Sequence, residues 1–451
     1  MAGLLDYFGD DLTSTSVLVL LAILVRVLTG VSSYSGAGDP PKYGDYEAQR
    51  HWMELTINLP VRDWYTDSEF NSPDYWPLDY PPLSGYQSWL CGLYLRFVDP
   101  RAVAPMASRG YETPASKAAM RNTVIAADLL GGVWAGQQPG LPQLLAVAKL
   151  GVTVLATLAL CWAPYLTSLE AAMRVVARIF PVRRGLYEDY VANWWCATSL
   201  LLKWKSAFAP GTLLRAAAAT TLAAAAPAMA HQIAGRGGEA GGEGEGGPSR
   251  WGLLRCMANS AFSFYMFSFQ VHEKSILLPL LPVCLLAGHE PLLGAWLPLL
   301  AGLSMYPLLE RDGLALPYVA LCGLYGAVVA STALEHARQL QDERRTAAAT
   351  SAGSAGGGGR SGRVSPAAAL LLRRWPALSL AALVGAAALH AARLALPPPE
   401  RLPWLHDRAF ISAAFGGFAV AYLYLQASQW RAEAGPGVAA GPAGKARGKA
   451  D

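Results

Sequence analysis

The apolar residues of this chain are gathered into blocks of about 15 to 25, the length that crosses the hydrocarbon core of a bilayer. That grouping constrains the fold more than any other feature. Inside a bilayer each backbone N–H and C=O must be paired within the protein, so such blocks can only be helices. A chain of 451 residues, 53% hydrophobic and only 15% charged, is also too poor in charge for an ordinary soluble domain. The expected fold is all-α, a polytopic helical membrane protein. The blocks fall at residues 13–33, 84–98, 124–134, 144–162, 211–231, 252–270, 275–288, 291–309, 314–334, 367–396 and 409–428. That gives about ten or eleven spans.

The polar remainder excludes several functions. The net charge of +4 is small, and the basic residues fall mostly in linkers and the tail. This is the positive-inside pattern of a membrane protein, not a nucleic-acid surface. The six cysteines lie apart, without metal or disulfide spacing, and read as small buried hydrophobes. No P-loop, dinucleotide glycine pattern or Cys/His metal spacing occurs. The first block has no basic segment before it and reads as a retained span, not a cleavable signal.

The expected organisation is a first span (1–33), a polar loop (34–83), a membrane region (84–234) interrupted by a second polar loop (163–195), and a Gly-rich linker (235–250). A second membrane region (251–335), a flexible basic linker (336–366), C-terminal spans (367–430) and a tail (431–451) follow. Arg338, Arg344, Arg345, Arg373, Arg374, Lys445, Arg447 and Lys449 put the last linker and the tail on the cytosolic face.

Polar residues concentrate in three places. The first loop carries GDYEAQRHWMELT (44–56) and WPLDYPPLSGY (76–86). Ala48, Trp52, Leu55 and Leu59 recur at helical spacing opposite Glu47, His51 and Glu54. This predicts an amphipathic helix on the membrane surface with Trp52 at headgroup level. Asp45 then reads as a helix N-cap, Asp79 as a turn residue ahead of two prolines, and Trp64, Tyr65, Tyr75 and Trp76 as an interfacial aromatic belt. The second loop, RIFPVRRGLYEDYVANWWC (178–196), sets Arg183, Arg184, Glu188 and Asp189 beside Trp194 and Trp195. The third, FSFQVHEKSILLPLLP (267–282), interrupts an apolar stretch with His272, Glu273 and Lys274. Such charges line a wet cavity, pair with one another, or mark a short connection between spans. A further polar string, GYETPASKAAMRNTV (110–124), precedes the third block.

Together these motifs, in this order, resemble the dolichyl-phosphate-glucose-dependent alpha-1,3-glucosyltransferases of the endoplasmic reticulum. Within that family they are most similar to the enzyme adding the first glucose to the nine-mannose lipid-linked precursor of N-glycans; the sister enzyme that adds the second is the alternative. The resemblance implies a type C glycosyltransferase-like fold in the endoplasmic-reticulum membrane, with lumenal loops carrying short interfacial helices. It implies an inverting transfer, without metal or cofactor, from dolichyl phosphate glucose to a dolichyl-pyrophosphate-linked oligosaccharide. Asp45 matches the position of the family's base. His272 and Lys274 fit stabilisation of the leaving phosphate, with Arg50 or Arg184 as helpers, and Asp79, Glu188 and Glu273 match acidic positions that orient sugars or hold the site.

The chain departs from that family after Trp134, which runs into AGQQPGLPQLLAVAKL. The family carries a further stretch there of roughly eighty residues, enough for about three or four spans. A non-catalytic relative that binds dolichyl lipids or a partner is therefore the competing reading. A transporter would show internal repeats and matched broken helices, and none is evident.

Overall fold

The computed structural model describes residues 12–135, 143–179, 185–187, 190–234, 250–330 and 366–430. Among them secondary structure is helical, apart from one isolated parallel bridge between Tyr187 and Val271. The chain divides into two compact units. One comprises Phe8–Arg183 with Leu309–Pro317; the other comprises Arg184–Leu308 and Tyr318–Asp451 with the first seven residues.

The first unit holds α1 (Leu12–Thr29), α2 (Gly44–Asn58), α3 (Pro82–Val98), α4 (Pro114–Ala135), α5 (Gln143–Trp162) and α6 (Leu169–Ile179). Proline at the first turn starts α3, where a missing N–H costs nothing. Asp99-Pro100 ends it in an extended residue. Gly92 lets α2 and α3 meet: a Cβ there would lie 3.0 Å from the Met53 carbonyl. The third apolar block is the second half of α4, whose first half carries the polar string, so the two form one helix. Between α5 and α6 the chain bends by 110°. The bend returns Val175 and Ile179 onto a core of the aromatic Trp52, Trp64, Tyr65 and Tyr165 with Leu78.

The second unit contains α7 (Trp194–Thr198), α8 (Trp204–Ala207), α9 (Pro210–Ile233), α10 (Arg250–Phe267), α11 (Leu277–Leu285), most of α12 (Pro291–Arg311) and α13 (Ala315–Ala330), whose facing ends belong to the first, α14 (Pro366–Ala395) and α15 (Leu405–Gln429). Helix α10 packs against α9, α11 and α15. Polar side chains tie these helices to neighbouring backbone: Asn259 donates to the Leu425 carbonyl (3.1 Å), Gln426 to Ala224 (3.0 Å) and Gln429 to Gly252 (3.1 Å). Arg255 on α10 pairs at 3.2 Å with buried Glu290, which also accepts from the Tyr424 hydroxyl. Between apolar helices such bonds supply cohesion that lipid, as apolar as the helices themselves, does not.

By length and apolarity, α9, α12 and α15 qualify as membrane spans among the described residues, and the bent α5–α6 pair qualifies if taken as one. This is fewer than the blocks suggest. The block at 275–288 yields a helix of only 9 residues, and α10 carries Arg255, Asn259 and Ser263 along its length. Phe97, Leu155, Leu222 and Leu281 are 65% to 85% exposed, an outward apolar lining that lipid covers. All six cysteines are free; Cys196 and Cys256 are buried and Cys284 is exposed on α11.

Candidate active site

In the first unit the site is built around the start of α2. Gly44 has φ +74, and a Cβ on it would lie 1.8 Å from the Ser35 carbonyl oxygen. Only glycine fits. That same carbonyl accepts from the Asp45 N–H at 3.2 Å, so the backbone at Asp45 is pinned to residue 35. The cap position belongs to Tyr43, in the left-handed region at φ 55 and without a side-chain cap bond. The N-cap reading of Asp45 is thereby corrected: Asp45 lies inside the first turn, where a carboxylate gains from the helix dipole.

Asp45 lines a cavity of about 400 Å³ shared by α2, α3, α4 and Tyr34. Its walls combine three chemistries. Trp52 and Tyr80, with ring centres 5.0 Å apart, present aromatic surface. Gln49, Ser84, Gln87 and Ser88 offer amides and hydroxyls, and Lys117 and Arg121 offer positive charge. Aromatic faces with a few placed polar groups suit a sugar ring, and a carboxylate among hydroxyl-binding groups can take a proton. Among the described residues, no cluster of three His, Cys, Asp or Glu side chains is placed to hold a metal ion.

The opposite side of α2 is a buried charge network. Arg50 is fully buried and uses all its donors: Nε and Nη2 to Glu47 (2.7 and 2.6 Å), Nη2 also to Glu54 (2.9 Å), and Nη1 to the Ala102 carbonyl (2.8 Å) and Ser108 Oγ (2.5 Å). Tyr75 donates to Glu47 at 2.7 Å, and the Met106 N–H and Ser108 hydroxyl donate to Glu54, each at 2.9 Å. His51 Nδ1 lies 3.2 Å from Glu54. Burial alone would raise the Glu54 carboxyl; the His51 hydrogen bond, the Arg50 and His51 charges and the Met106 N–H outweigh it and bring it down to about 2. Burial would likewise lower Arg50, but its bonds and charges with Glu47 and Glu54 raise it.

This packing changes two expectations. Helix α2 is not a surface helix: Glu47, Ala48 and every residue from Arg50 to Thr56 are buried. Trp52, 6% exposed, donates its indole N–H to the Trp76 and Pro77 carbonyls rather than resting among headgroups. The charged face that looked solvated is satisfied internally. Trp64, Tyr65 and Tyr75 are likewise buried, not an interfacial belt; Trp76 is half-buried and donates to the Lys42 carbonyl. Arg50, expected near phosphate, has no donor left for a ligand and holds α2 instead. Asp79 is half-buried in the loop before α3; burial, and after it the Asp79 charge, raise the neighbouring Tyr65 hydroxyl.

In the second unit, two of the polar motifs meet. The Gln270 N–H donates to the Leu186 carbonyl at 2.9 Å beside the Tyr187–Val271 bridge, which joins the second polar loop to the third. Trp195 clamps the junction by donating to the Phe267 carbonyl at 2.8 Å, and Lys205 donates to Tyr187 at 3.0 Å. His272 follows that bridge, with Nδ1 2.8 Å from Glu273 Oε2 but not aligned as a hydrogen bond. Glu273 is buried and Lys274 exposed at the turn Glu273–Ile276, which leads into α11. The motif is thus a connection between helices, with its charges at one end. Glu188 and Arg184, with Arg183 and Asp189, lie outside the described residues. Lys117 and Arg121 were not singled out from sequence, although the string containing them was; one turn apart on α4, they share a face.

The sequence matches the model of the ALG6, ALG8 glycosyltransferase family over residues 18–135 and 129–424. The two matches meet where the chain departs from the expected pattern. The chain is 33% identical to an Arabidopsis thaliana protein named as a probable dolichyl pyrophosphate Man9GlcNAc2 alpha-1,3-glucosyltransferase, covering 93% of this chain and 90% of the relative. That alignment runs over 517 residues against a chain of 451, so the relative carries residues with no counterpart here. Proteins with the corresponding name from Gallus gallus (34% identical, 72% of this chain, 80% of the relative) and Saccharomyces cerevisiae (31%, 69% and 73%) are similar in the same way.

Proposed function

The chain belongs to the ALG6, ALG8 glycosyltransferase family, and from that membership we propose that it transfers glucose to the terminal mannose of a dolichyl-pyrophosphate-linked Man9GlcNAc2 oligosaccharide. The proposed donor is dolichyl phosphate glucose, the linkage alpha-1,3, and the site of action the endoplasmic-reticulum membrane. The acceptor is the one carried in the names of the relatives. The observation that carries the reading furthest is Asp45, pinned at the start of α2 and lining a cavity with aromatic, amide and cationic walls.

In the proposed reaction the mannose O3–H gives its proton to the Asp45 carboxylate while O3 attacks the anomeric carbon of glucose. The bond from that carbon to the phosphate oxygen breaks, and its electron pair leaves with dolichyl phosphate. Attack opposite the leaving group turns a beta-linked donor into an alpha-linked product. General-base help of this kind is worth roughly 10²- to 10⁴-fold. The negative charge gathering on the phosphate needs cations; His272 and Lys274 are assigned that role, with Arg184 as helper. Asp79, Glu188 and Glu273 are assigned to sugar orientation or to bracing the site. Arg50 and its partners act by holding α2.

The test is complementation. In cells lacking the first-glucose enzyme, the wild-type chain restores glucosylated lipid-linked oligosaccharide and an Asp45→Asn chain does not. Continued accumulation of the nine-mannose precursor with the wild-type chain removes this reading. It would favour the second one, a membrane protein that binds lipid-linked sugars without turnover, which the break between the two family matches motivates.

A further inference from the structure

We propose that Arg121, backed by Lys117, is an anion fork that holds the phosphate of a polyprenyl-linked sugar inside the Asp45 cavity. The inference rests on the glycosyl-transfer reading for the identity of the ligand and on geometry for the site. Lys117 and Arg121 lie one turn apart on α4 and line the same cavity as Asp45. Lys117 is paired with Glu112, which also accepts from the Tyr34 hydroxyl. Arg121 is half-buried and, among the described residues, makes no hydrogen bond or ion pair.

Arg121 acts through its charge on the Glu112 carboxylate, but half-buried N–H donors that make no hydrogen bond are costly. Its planar fork of N–H donors matches phosphate oxygens two at a time, which an ammonium cannot do. Gly30, just past α1, makes room for it: a Cβ there would lie 3.3 Å from Arg121 Cδ. The neighbouring wall is apolar, with Met53, Cys91, Met120 and Val124. The lining therefore offers aromatic surface for a sugar, a fork for a phosphate and an apolar wall for the first part of a prenyl chain. Those are the three parts of a polyprenyl-phosphate sugar.

Two lipids carry this chemistry, the monophosphate of a donor and the diphosphate of an acceptor, and the experiment separates them. The full-length chain, purified in detergent, is titrated by native mass spectrometry with a short polyprenyl monophosphate, the matching diphosphate, and phosphatidylglycerol. Arg121→Gln is expected to weaken binding of the mono- or the diphosphate at least ten-fold, with Arg121→Lys falling between it and wild type. The lipid that loses affinity names the source. Unchanged affinity for both overturns the inference, as does an equal loss for phosphatidylglycerol, which would mark an ordinary headgroup contact. A second measurement needs no variant. Arginine-selective labelling of the wild-type chain, read by peptide mass spectrometry, should find Arg121 protected by the polyprenyl phosphate and not by the neutral alcohol; equal labelling overturns the inference. Neither measurement reads glucose transfer. A chain that binds through Arg121 but never turns over leaves this inference standing and removes the reading it rests on.

Discussion

At the scale of single residues, α2 divides two kinds of carboxylate. Asp45 faces the cavity, and Glu47 and Glu54 are locked into Arg50. Glu54 sits near 2 in the folded chain against an ordinary 4.5, so its folded value is depressed. Its contribution is present in full above the unfolded value and is lost as pH falls from about 4.5 toward about 2. Thermal unfolding in detergent should therefore weaken across that acidic window, and Glu54→Gln should flatten the acidic limb while lowering stability near neutrality. An identical acid limb in both proteins would remove Glu54 from the account. Replacing Arg50 by Met should cost about 3–5 kcal/mol, because two buried carboxylates lose their counter-charge. A melt within a degree of wild type would contradict the buried network.

Among elements, the start of α2 is where backbone becomes chemistry. Gly44→Ala places a methyl group against the Ser35 carbonyl at a left-handed position, so the first turn must shift and take Asp45 with it. Displacing a base by about 1 Å costs roughly 10²-fold. Gly44→Ala should accordingly lower kcat strongly although every reacting side chain is kept, and wild-type kcat in that variant would show that the Ser35 contact does not position Asp45. Helix extents were legible from sequence: α5 and α12 follow their apolar blocks to within two residues, and α9 and α15 to within four. Desolvated chains of 15 to 25 residues leave the backbone no alternative. The surroundings of α2 were not legible. Glu47, Arg50 and Glu54 have the spacing of a solvated face, and only tertiary contacts from Ala102, Met106 and Ser108 reveal that they satisfy one another. Trp64 and Tyr65 have a belt's composition, but the bend between α5 and α6 supplies the core that buries them. Asp45 itself stood out only through family likeness, because spacing alone also fits a helix cap.

For the whole molecule, the apolar outer surface and the spans α9, α12 and α15 describe an integral membrane protein of the glycosyltransferase family. The charge pattern predicts a cytosolic Arg- and Lys-rich linker and tail, and the family resemblance implies that the loop 34–83 is lumenal. Inserting an Asn-X-Thr acceptor near residues 68–72 should yield a glycosylated chain in microsomes, and the same sequence appended after residue 451 should stay unmodified. The reverse pattern would invert the topology.

The most direct measurement of the central claim is transfer by the purified chain. With labelled dolichyl phosphate glucose and a dolichyl-pyrophosphate-linked Man9GlcNAc2 acceptor, wild type should form one alpha-1,3-glucosylated product. Asp45→Asn should lose at least about 10²-fold in rate while melting like wild type. Equal product from both proteins would contradict Asp45 as the base, and no product from wild type would contradict the proposed function.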